Sequence, residues 1–259
     1  MSDDLVSLRI LIVSDAKSER DALRAVASQH PVLIDVVVVE TTGDASPTCN
    51  LLAREAIDVI FLDSRMPRAS RQAVIDAAHA AESRPLVVFV GSADLKSKQI
   101  ATEGIAFDGL LAKPIDSAEA RALLDACVRA RLPSRVMVVD DSPTIRSVVR
   151  KVLQASRYRF EAAEAGEGKA ALEQAAKQRF DVVFLDCHMP DFDGFATLAA
   201  LQRNHPDTKV VMIAATNDTR IADRARAAGA DDLLYKPFYA KDVDAVMNRL
   251  HGVMRPKAV

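Results

Sequence analysis

The sequence predicts an α/β protein in which one parallel-sheet domain occurs twice, and three observations support this prediction. First, short aliphatic runs alternate with segments of helical periodicity, as expected for parallel strands that are buried on both faces and joined by helices. Second, the same motifs occur in the same order in both halves of the 259-residue chain. Third, acidic residues follow the aliphatic runs, at the strand ends where such sheets place their ligands.

Three segments of the first half recur in the second half in the same order, displaced by 126, 123 and 123 residues. The matching pairs are RILIVSDA (9–16) and RVMVVDDS (135–142), IDVIFLDSRMP (57–67) and FDVVFLDCHMP (180–190), and GLLAKP (109–114) and DLLYKP (232–237). Ordered matches of this kind indicate duplication. We therefore predict a first domain over 6–130, a linker at 131–134, a second domain over 135–253 and a tail at 254–259.

The aliphatic runs of the second half predict strands at RVMVV, DVVFL, KVVMIA and DLLY. The first helix is expected to begin after Ser142, an N-cap residue, with Pro143 in its first turn. Its apolar side chains form one stripe at Ile145, Val148, Val149, Val152 and Leu153. Further helices are predicted over Gly168–Gln178 and Thr219–Ala228, with Gly229 ending the latter as a C′ residue.

Composition narrows the classes of function. A formal net charge of −2 argues against a broad nucleic-acid surface and against a polybasic membrane anchor. The N-terminus is acidic and no long apolar run follows it, so we expect a cytoplasmic protein without a signal peptide or membrane span. The cysteines Cys49, Cys127 and Cys187 are odd in number and lack metal-ligand spacing, which indicates free thiols in a reducing compartment.

Three carboxylates of the second half are expected to share one crevice. Asp140 and Asp141 follow RVMVV, and Asp186 ends DVVFL. Neighbouring parallel strands end at the same edge of a sheet, so these negative charges would lie close together and need compensation. Mg²⁺ binds carboxylates together with waters and a phosphate, and Lys236 at the end of a fourth run adds another positive charge. A carboxylate nucleophile, a metal and a lysine suit phosphoryl transfer.

The ordered set DD…FLDxxMPxxDG…KP resembles the receiver domain of two-component response regulators, and the resemblance covers essentially the whole chain in two copies. It implies two flavodoxin-like, doubly wound (βα)5 domains, each with a five-stranded parallel sheet. It also implies that Asp186 accepts a phosphoryl group from a phosphohistidine on a sensor histidine kinase or a phosphotransfer protein. A cis peptide between Lys236 and Pro237 is a further implication.

The resemblance also implies a ligand set for Mg²⁺. Asp141, Asp186 and the backbone carbonyl of His188 would bind the ion, and Asp140 would act through water. Lys236 would contact the phosphoryl group. A zinc site at Cys187 and His188 is not expected, because adjacent strand residues point to opposite faces and no partner cluster is present.

The second half departs from the family pattern at the positions that read out phosphorylation. The family's hydroxyl residue, 22 positions before the lysine, is Ala214 here, and Thr216 is a candidate substitute. The family's responding aromatic residue, three before the lysine, is Leu233. Tyr235 lies nearby, but we expect it to point to the opposite face of the sheet. These replacements predict that any signal leaves this domain by another route.

The first half departs further. Its acidic pair is reduced to Ser14 and Asp15, although Asp63 remains as the counterpart of the acceptor and, with Asp15, as a candidate metal ligand. Arg65 follows two positions after Asp63, and the Asp-Gly of MPDFDG is missing. The loss of one carboxylate predicts a less negative pocket and weaker metal binding.

The phosphoryl-contacting positions of the first half are Lys113 and a hydroxyl candidate. An ungapped count places Gly91 at the hydroxyl position, whereas a one-residue deletion places Ser92 there. Two interpretations remain open for this domain. Asp63 is a second, weaker acceptor, or the domain is a degenerate receiver kept for packing or partner binding. The second interpretation is favoured.

The leading hypothesis is a signalling switch that is not an enzyme and whose output runs through contacts with a downstream protein. A homodimer or a contact between the domains stays open. The alternative is a phosphorylation-independent scaffold with two vestigial pockets, supported by Ser14 and Ala214. A third class, an enzyme that turns over an aspartyl phosphate with His188 as its acid or base, lacks a visible substrate-capping domain.

Overall fold

The computed structural model describes residues 8–41, 43–92, 107–189, 194–215 and 219–253. The chain divides into two compact units. Unit 1 contains the residues up to Arg131 together with those from His251, and unit 2 is Leu132–Leu250. Within the described ranges, no helix combines the length and the apolar character that a membrane crossing requires.

Unit 1 contains a five-stranded parallel sheet. Its strands are β1 (Leu8–Val13), β2 (Ile34–Val39), β3 (Val59–Asp63), β4 (Leu86–Ser92) and β5 (Gly109–Lys113). Its described helices are α1 (Lys17–Ser28), α2 (Ser46–Leu52), α3 (Arg68–Ala80) and α4 (Ser117–Arg131). The strand order is β2-β1-β3-β4-β5, so the direction of winding reverses beside β1.

Unit 2 repeats this architecture. Its strands are β6 (Ser134–Val139), β7 (Phe160–Ala165), β8 (Val182–Asp186), β9 (Lys209–Ala214) and β10 (Asp232–Tyr235). Its described helices are α5 (Pro143–Ala155), α6 (Gly168–Ala175), α7 (Gly194–Asn204), α8 (Thr219–Ala227) and α9 (Ala240–His251). The sheet order β10-β9-β8-β6-β7 is the order of unit 1 read from the other edge.

The two parallel sheets confirm the predicted flavodoxin-like receiver fold. The central strands form because their residues are aliphatic or aromatic on both faces, and every residue of β3 and β8 is buried. In register, Val13 pairs with Leu62 and Val139 pairs with Leu185. The ends of β1 and β3, and of β6 and β8, therefore lie side by side at the point where each sheet reverses its winding.

The predicted helix boundaries are mostly confirmed. The Ser142 hydroxyl accepts a hydrogen bond from the Ile145 N–H at 3.4 Å, as an N-cap does. Gly229 has φ +86°, the left-handed conformation that favours glycine after a helix. Helix α6 ends three residues before the predicted Gln178, because the Lys177 N–H bonds to the Gln174 carbonyl and tightens the last turn. The peptides before Pro114 and Pro237 are both cis.

Candidate functional site

In unit 2, the ends of β6, β8 and β10 bring two carboxylates and a lysine together. The Lys236 Nζ lies 2.8 Å from an oxygen of Asp140 and 2.8 Å from an oxygen of Asp186. These carboxylates are only 2% and 5% exposed, respectively. The convergence arises because the three residues directly follow or end strands of one parallel sheet, as the sequence predicted.

The other oxygen of each carboxylate is held by the backbone. The Ser142 N–H donates to Asp140 at 2.9 Å, and the His188 N–H donates to Asp186 at 3.1 Å. Asp141 is exposed beside the pocket, and His188 exposes its side chain. The carboxylates are thus fixed in position by turns that the chain makes directly after β6 and β8.

The electrostatics of this pocket favour a further cation. Burial raises the pKa of Asp186, whereas the hydrogen bond and the charge of Lys236 lower it. The charge of Asp140 adds to the rise, so that the net shift of the Asp186 pKa is upward. Burial lowers the pKa of Lys236, but its hydrogen bonds to the two carboxylates raise it more. The carboxylates of Asp140 and Asp186 therefore share the one ammonium group of Lys236, which leaves an excess of negative charge between them.

An arginine that the sequence reasoning did not single out supports this edge of the sheet. Arg146 donates to the backbone carbonyl of Asp140 at 2.8 Å and bonds to Glu164 at 3.1 Å. In unit 1, Arg20 donates to the Ser14 carbonyl at 3.0 Å and pairs with Glu40 at 2.6 Å. The two arginines are separated by the repeat offset of 126, a signal that the sequence contained.

The donor set of unit 2 fits Mg²⁺ only with additional oxygen ligands. In the part of the chain that the structure describes, no three His, Cys, Asp or Glu side chains form a metal site by themselves. A divalent ion beside Asp186 would need a backbone carbonyl, waters or a phosphoryl group as well. Mg²⁺ is commonly bound in this way, through one or two carboxylates, waters and phosphate oxygens.

The pocket of unit 1 uses a different carboxylate from the one expected. The Lys113 Nζ lies 2.9 Å from Asp63 and 2.7 Å from Glu19, which is on the first turn of α1. The Ser14 hydroxyl donates to Glu19 at 2.8 Å and reaches Asp63 at 3.3 Å. Glu19 therefore takes the place of the aspartate that Ser14 replaces. The expected loss of one carboxylate is wrong, because α1 supplies another.

Arg65 adds a second cation to this pocket. Its Nη2 lies 2.7 Å from Asp63, 3.1 Å from Asp15 and 3.4 Å from Glu19. Burial raises the pKa of Asp63, but hydrogen bonds from Arg65 and from Lys113 lower it to about 2. The pocket of unit 1 is less negative than that of unit 2, as predicted, but the cause is the added arginine.

The positions expected to read out phosphorylation are only partly described. Ala214 is buried at the end of β9 and pairs in register with Tyr235. Leu233 and Tyr235 pack against the same apolar cluster, so the expectation that Tyr235 points to the opposite face is wrong. Side chains two residues apart in a strand share a face. Thr216 lies outside the described residues.

The strand register bears on the two alternatives for the hydroxyl position of unit 1. Gly91 pairs with Ala112, the residue before Lys113, and Ser92 pairs with Lys113 itself. In unit 2, Ala214 likewise pairs with the residue before the lysine. Gly91 is therefore the structural counterpart of Ala214, and the exposed Ser92 lies one position further along the strand.

The fold and the pockets define a class: doubly wound α/β domains with an acidic, lysine-containing pocket at the carboxyl end of the sheet. A family model described as the response regulator receiver domain matches residues 136–248. Protein CcdB of Bacillus subtilis is 34% identical over 46% of this chain and 98% of its own length. The chain belongs to the response regulator receiver family, the phosphorylation-dependent receivers of two-component systems.

Two further comparisons concern longer proteins and the fold. A protein-glutamate methylesterase/protein-glutamine glutaminase of Rhodospirillum centenum is 37% identical over 43% of this chain and 29% of its own length. The structure of a probable two-component system response regulator/GGDEF domain protein is 21% identical, covers 94% of this chain and 97% of that chain, and has a TM-score of 0.50. Unlike CcdB, several other curated relatives are much longer than the matched region, and the chain spans only about half or less of their length. Receiver domains are generally not enzymes and generally bind Mg²⁺.

Proposed function

We propose that unit 2 is a Mg²⁺-dependent phosphoryl acceptor, that Asp186 is the residue modified, and that the donor is a phosphohistidine on a sensor histidine kinase or a phosphotransfer protein. The observation that carries this proposal is the contact of Lys236 with both Asp140 and Asp186. It supports a pocket in which a nucleophilic carboxylate lies beside a fixed positive charge.

In the proposed reaction, an oxygen of Asp186 attacks the phosphorus, the P–N bond to the donor histidine breaks, and its electron pair returns to the imidazole nitrogen. The Lys236 ammonium, already within hydrogen-bonding distance of Asp186, would balance the charge of the transferred group. Asp141, Asp186 and the His188 backbone carbonyl would hold Mg²⁺ directly, with Asp140 acting through water. The ion, when bound, supplies positive charge to the phosphoryl oxygens.

Several wider expectations join this proposal. We retain 6–130 and 135–253 as the domain boundaries, a cytoplasmic location, and an output through contacts with a downstream protein rather than through nucleic acid, a membrane or catalysis. The alternative is a phosphorylation-independent scaffold. It is supported by Ala214, which stands where the family has a residue with a hydroxyl group. The two hypotheses differ in whether Asp186 is ever modified.

The proposal is tested by intact-protein mass spectrometry after incubation with acetyl phosphate, with Mg²⁺ or with a chelator. We expect one added phosphoryl group that requires Mg²⁺, disappears in Asp186→Asn and persists in Asp63→Asn. The second variant is the matched control, because it makes the same change at the same motif position of unit 1. Absence of both labelling and Mg²⁺ binding in the wild type would favour the scaffold.

A further inference from the structure

Arg65 is positioned against Asp63 by the chain itself. Its backbone N–H donates to Asp63 at 2.9 Å, in the same turn that His188 makes beside Asp186. The side chain then folds back, so that its Nε and Nη2 both reach the Asp63 carboxylate. In unit 2 the residue at this position carries an exposed imidazole, so the guanidinium is specific to unit 1.

The Asp63 carboxylate is saturated by these contacts. One oxygen accepts from the Arg65 N–H, from Arg65 Nε and from Lys113, at 2.9, 3.3 and 2.9 Å. The other accepts from Arg65 Nη2 and Nε, at 2.7 and 3.2 Å. A carboxylate offers about four lone-pair sites. Asp63 therefore has no oxygen left for a metal ion or an incoming phosphorus atom unless Arg65 leaves.

The segment that carries Arg65 is itself anchored. Arg71, on the first turn of α3, donates to the backbone carbonyls of Ser64 and Met66, the residues on either side of Arg65. The guanidinium of Arg65 also bridges Asp15 and Glu19, which come from the end of β1 and from α1. Arg65 thus joins three carboxylates from three segments, as a divalent cation in an acidic pocket would.

We propose that Arg65 is a built-in cation of unit 1 that takes the place of a divalent metal, so that this pocket neither binds Mg²⁺ nor accepts a phosphoryl group. The carboxylates of unit 1 do not fit the ion that the family implies, because their charges and lone pairs are already used by Arg65 and Lys113. This inference does not depend on the proposed chemistry of unit 2.

The test counts bound Mn²⁺, a spectroscopic probe for Mg²⁺, by electron paramagnetic resonance on the full chain. Asp141→Asn with Asp186→Asn silences unit 2 and serves as the background. Into it we introduce Arg65→Ala, or Arg65→Gln, which keeps most of the side chain but not its charge. The matched control is Arg54→Ala, an exposed arginine of unit 1. The Arg65 side chain is 58% exposed, so its removal leaves the core intact.

We expect the background and the Arg54→Ala control to bind no Mn²⁺ in the millimolar range. Each Arg65 variant is expected to gain one ion per chain at the Asp63 carboxylate, with waters completing the ligand set. Binding by the background with Arg65 intact would overturn the inference, because the arginine would then not exclude the ion. Failure of both folded Arg65 variants to gain an ion would overturn it as well.

Discussion

The two pockets share a fold, a strand-end aspartate and a lysine, yet their electrostatics are opposite. In unit 1 the pKa of Asp63 falls to about 2, because the hydrogen bonds from Arg65 and Lys113 outweigh the effect of burial. In unit 2 burial dominates over Lys236 and the pKa of Asp186 rises. The hydrogen bonds from Arg65, two positions after Asp63, make the largest contribution to the lower pKa of the aspartate in unit 1. In unit 2 the charge of Asp140 adds to the rise at Asp186.

The largest expected effect comes from introducing the arginine of unit 1, Arg65, at the corresponding position of unit 2. His188→Arg places a guanidinium where unit 1 has Arg65, so it should occupy Asp186 and displace the divalent ion. We expect acetyl phosphate labelling to fall on the order of 100-fold or more. The variant should also lose the Mn²⁺ ion bound to unit 2. His188→Gln is the control and should keep both. Labelling of His188→Arg at the wild-type rate would contradict the comparison.

The two lysines should also respond differently. Lys236→Ala removes the charge that contacts Asp186, so we expect the labelling rate to fall on the order of 100-fold. Its affinity for Mn²⁺ should rise, because two carboxylates lose their ammonium partner. Lys113→Ala, the same change in unit 1, should leave labelling unchanged. Parallel time courses of labelling and Mn²⁺ titrations measure both effects, and a slower Lys113→Ala reaction would be evidence of a working first pocket.

Asp63→Asn should destabilise unit 1. The pKa of Asp63 is depressed from 3.8 to about 2, which corresponds to about 1–2 kcal/mol of stability after allowance for solvent screening. A carboxyl group whose pKa is lowered by folding stabilises the folded state at pH values above its pKa in the unfolded chain. This contribution is lost as the pH falls through the pKa of the group in the folded protein. Urea denaturation should therefore show a deficit at neutral pH that shrinks below pH 3.8. A deficit independent of pH would point to packing instead.

The smallest expected effect is a gain in stability in Asp186→Asn, opposite in sign to the loss expected for Asp63→Asn. Asp186 has a raised pKa, so its native state binds a proton more tightly than the unfolded chain, and its contribution to stability declines as the pH rises through that pKa. Asp186→Asn, which removes the charge, should melt a few degrees above the wild type at neutral pH in chelator. The gain should disappear as the pH falls toward 3.8, and a loss of stability at neutral pH would show that Asp186 is already compensated.

Much of the fold was predictable, because parallel strands buried on both faces leave a strong hydrophobic signal and the repeat doubles it. The meeting of Asp140, Asp186 and Lys236 followed from one rule, that residues after neighbouring parallel strands share an edge of the sheet. Glu19 was missed because it reaches the pocket from a helix, where no strand-end rule applies. Its position in the first turn after β1 was the available signal.

Other features depended on side-chain direction, which a motif does not specify. Arg65 was recognised as a departure, but its contacts with three carboxylates depend on how the turn after β3 folds back. The error at Tyr235 was one of counting, since residues two apart in a strand share a face.

Gly194 illustrates a backbone constraint, because a Cβ there would lie 2.1 Å from the Asp186 carbonyl oxygen. Its counterpart in unit 1, at the repeat offset of 123, is Arg71.

The most direct test of the central claim is to locate the phosphoryl group within the wild-type chain. After reaction with acetyl phosphate and Mg²⁺, borohydride reduction converts an aspartyl phosphate to homoserine, which peptide mass spectrometry assigns to one position. We predict homoserine at position 186 and none at position 63. Homoserine at position 63, alone or together with position 186, would contradict the account, because Arg65 would not then close the first pocket.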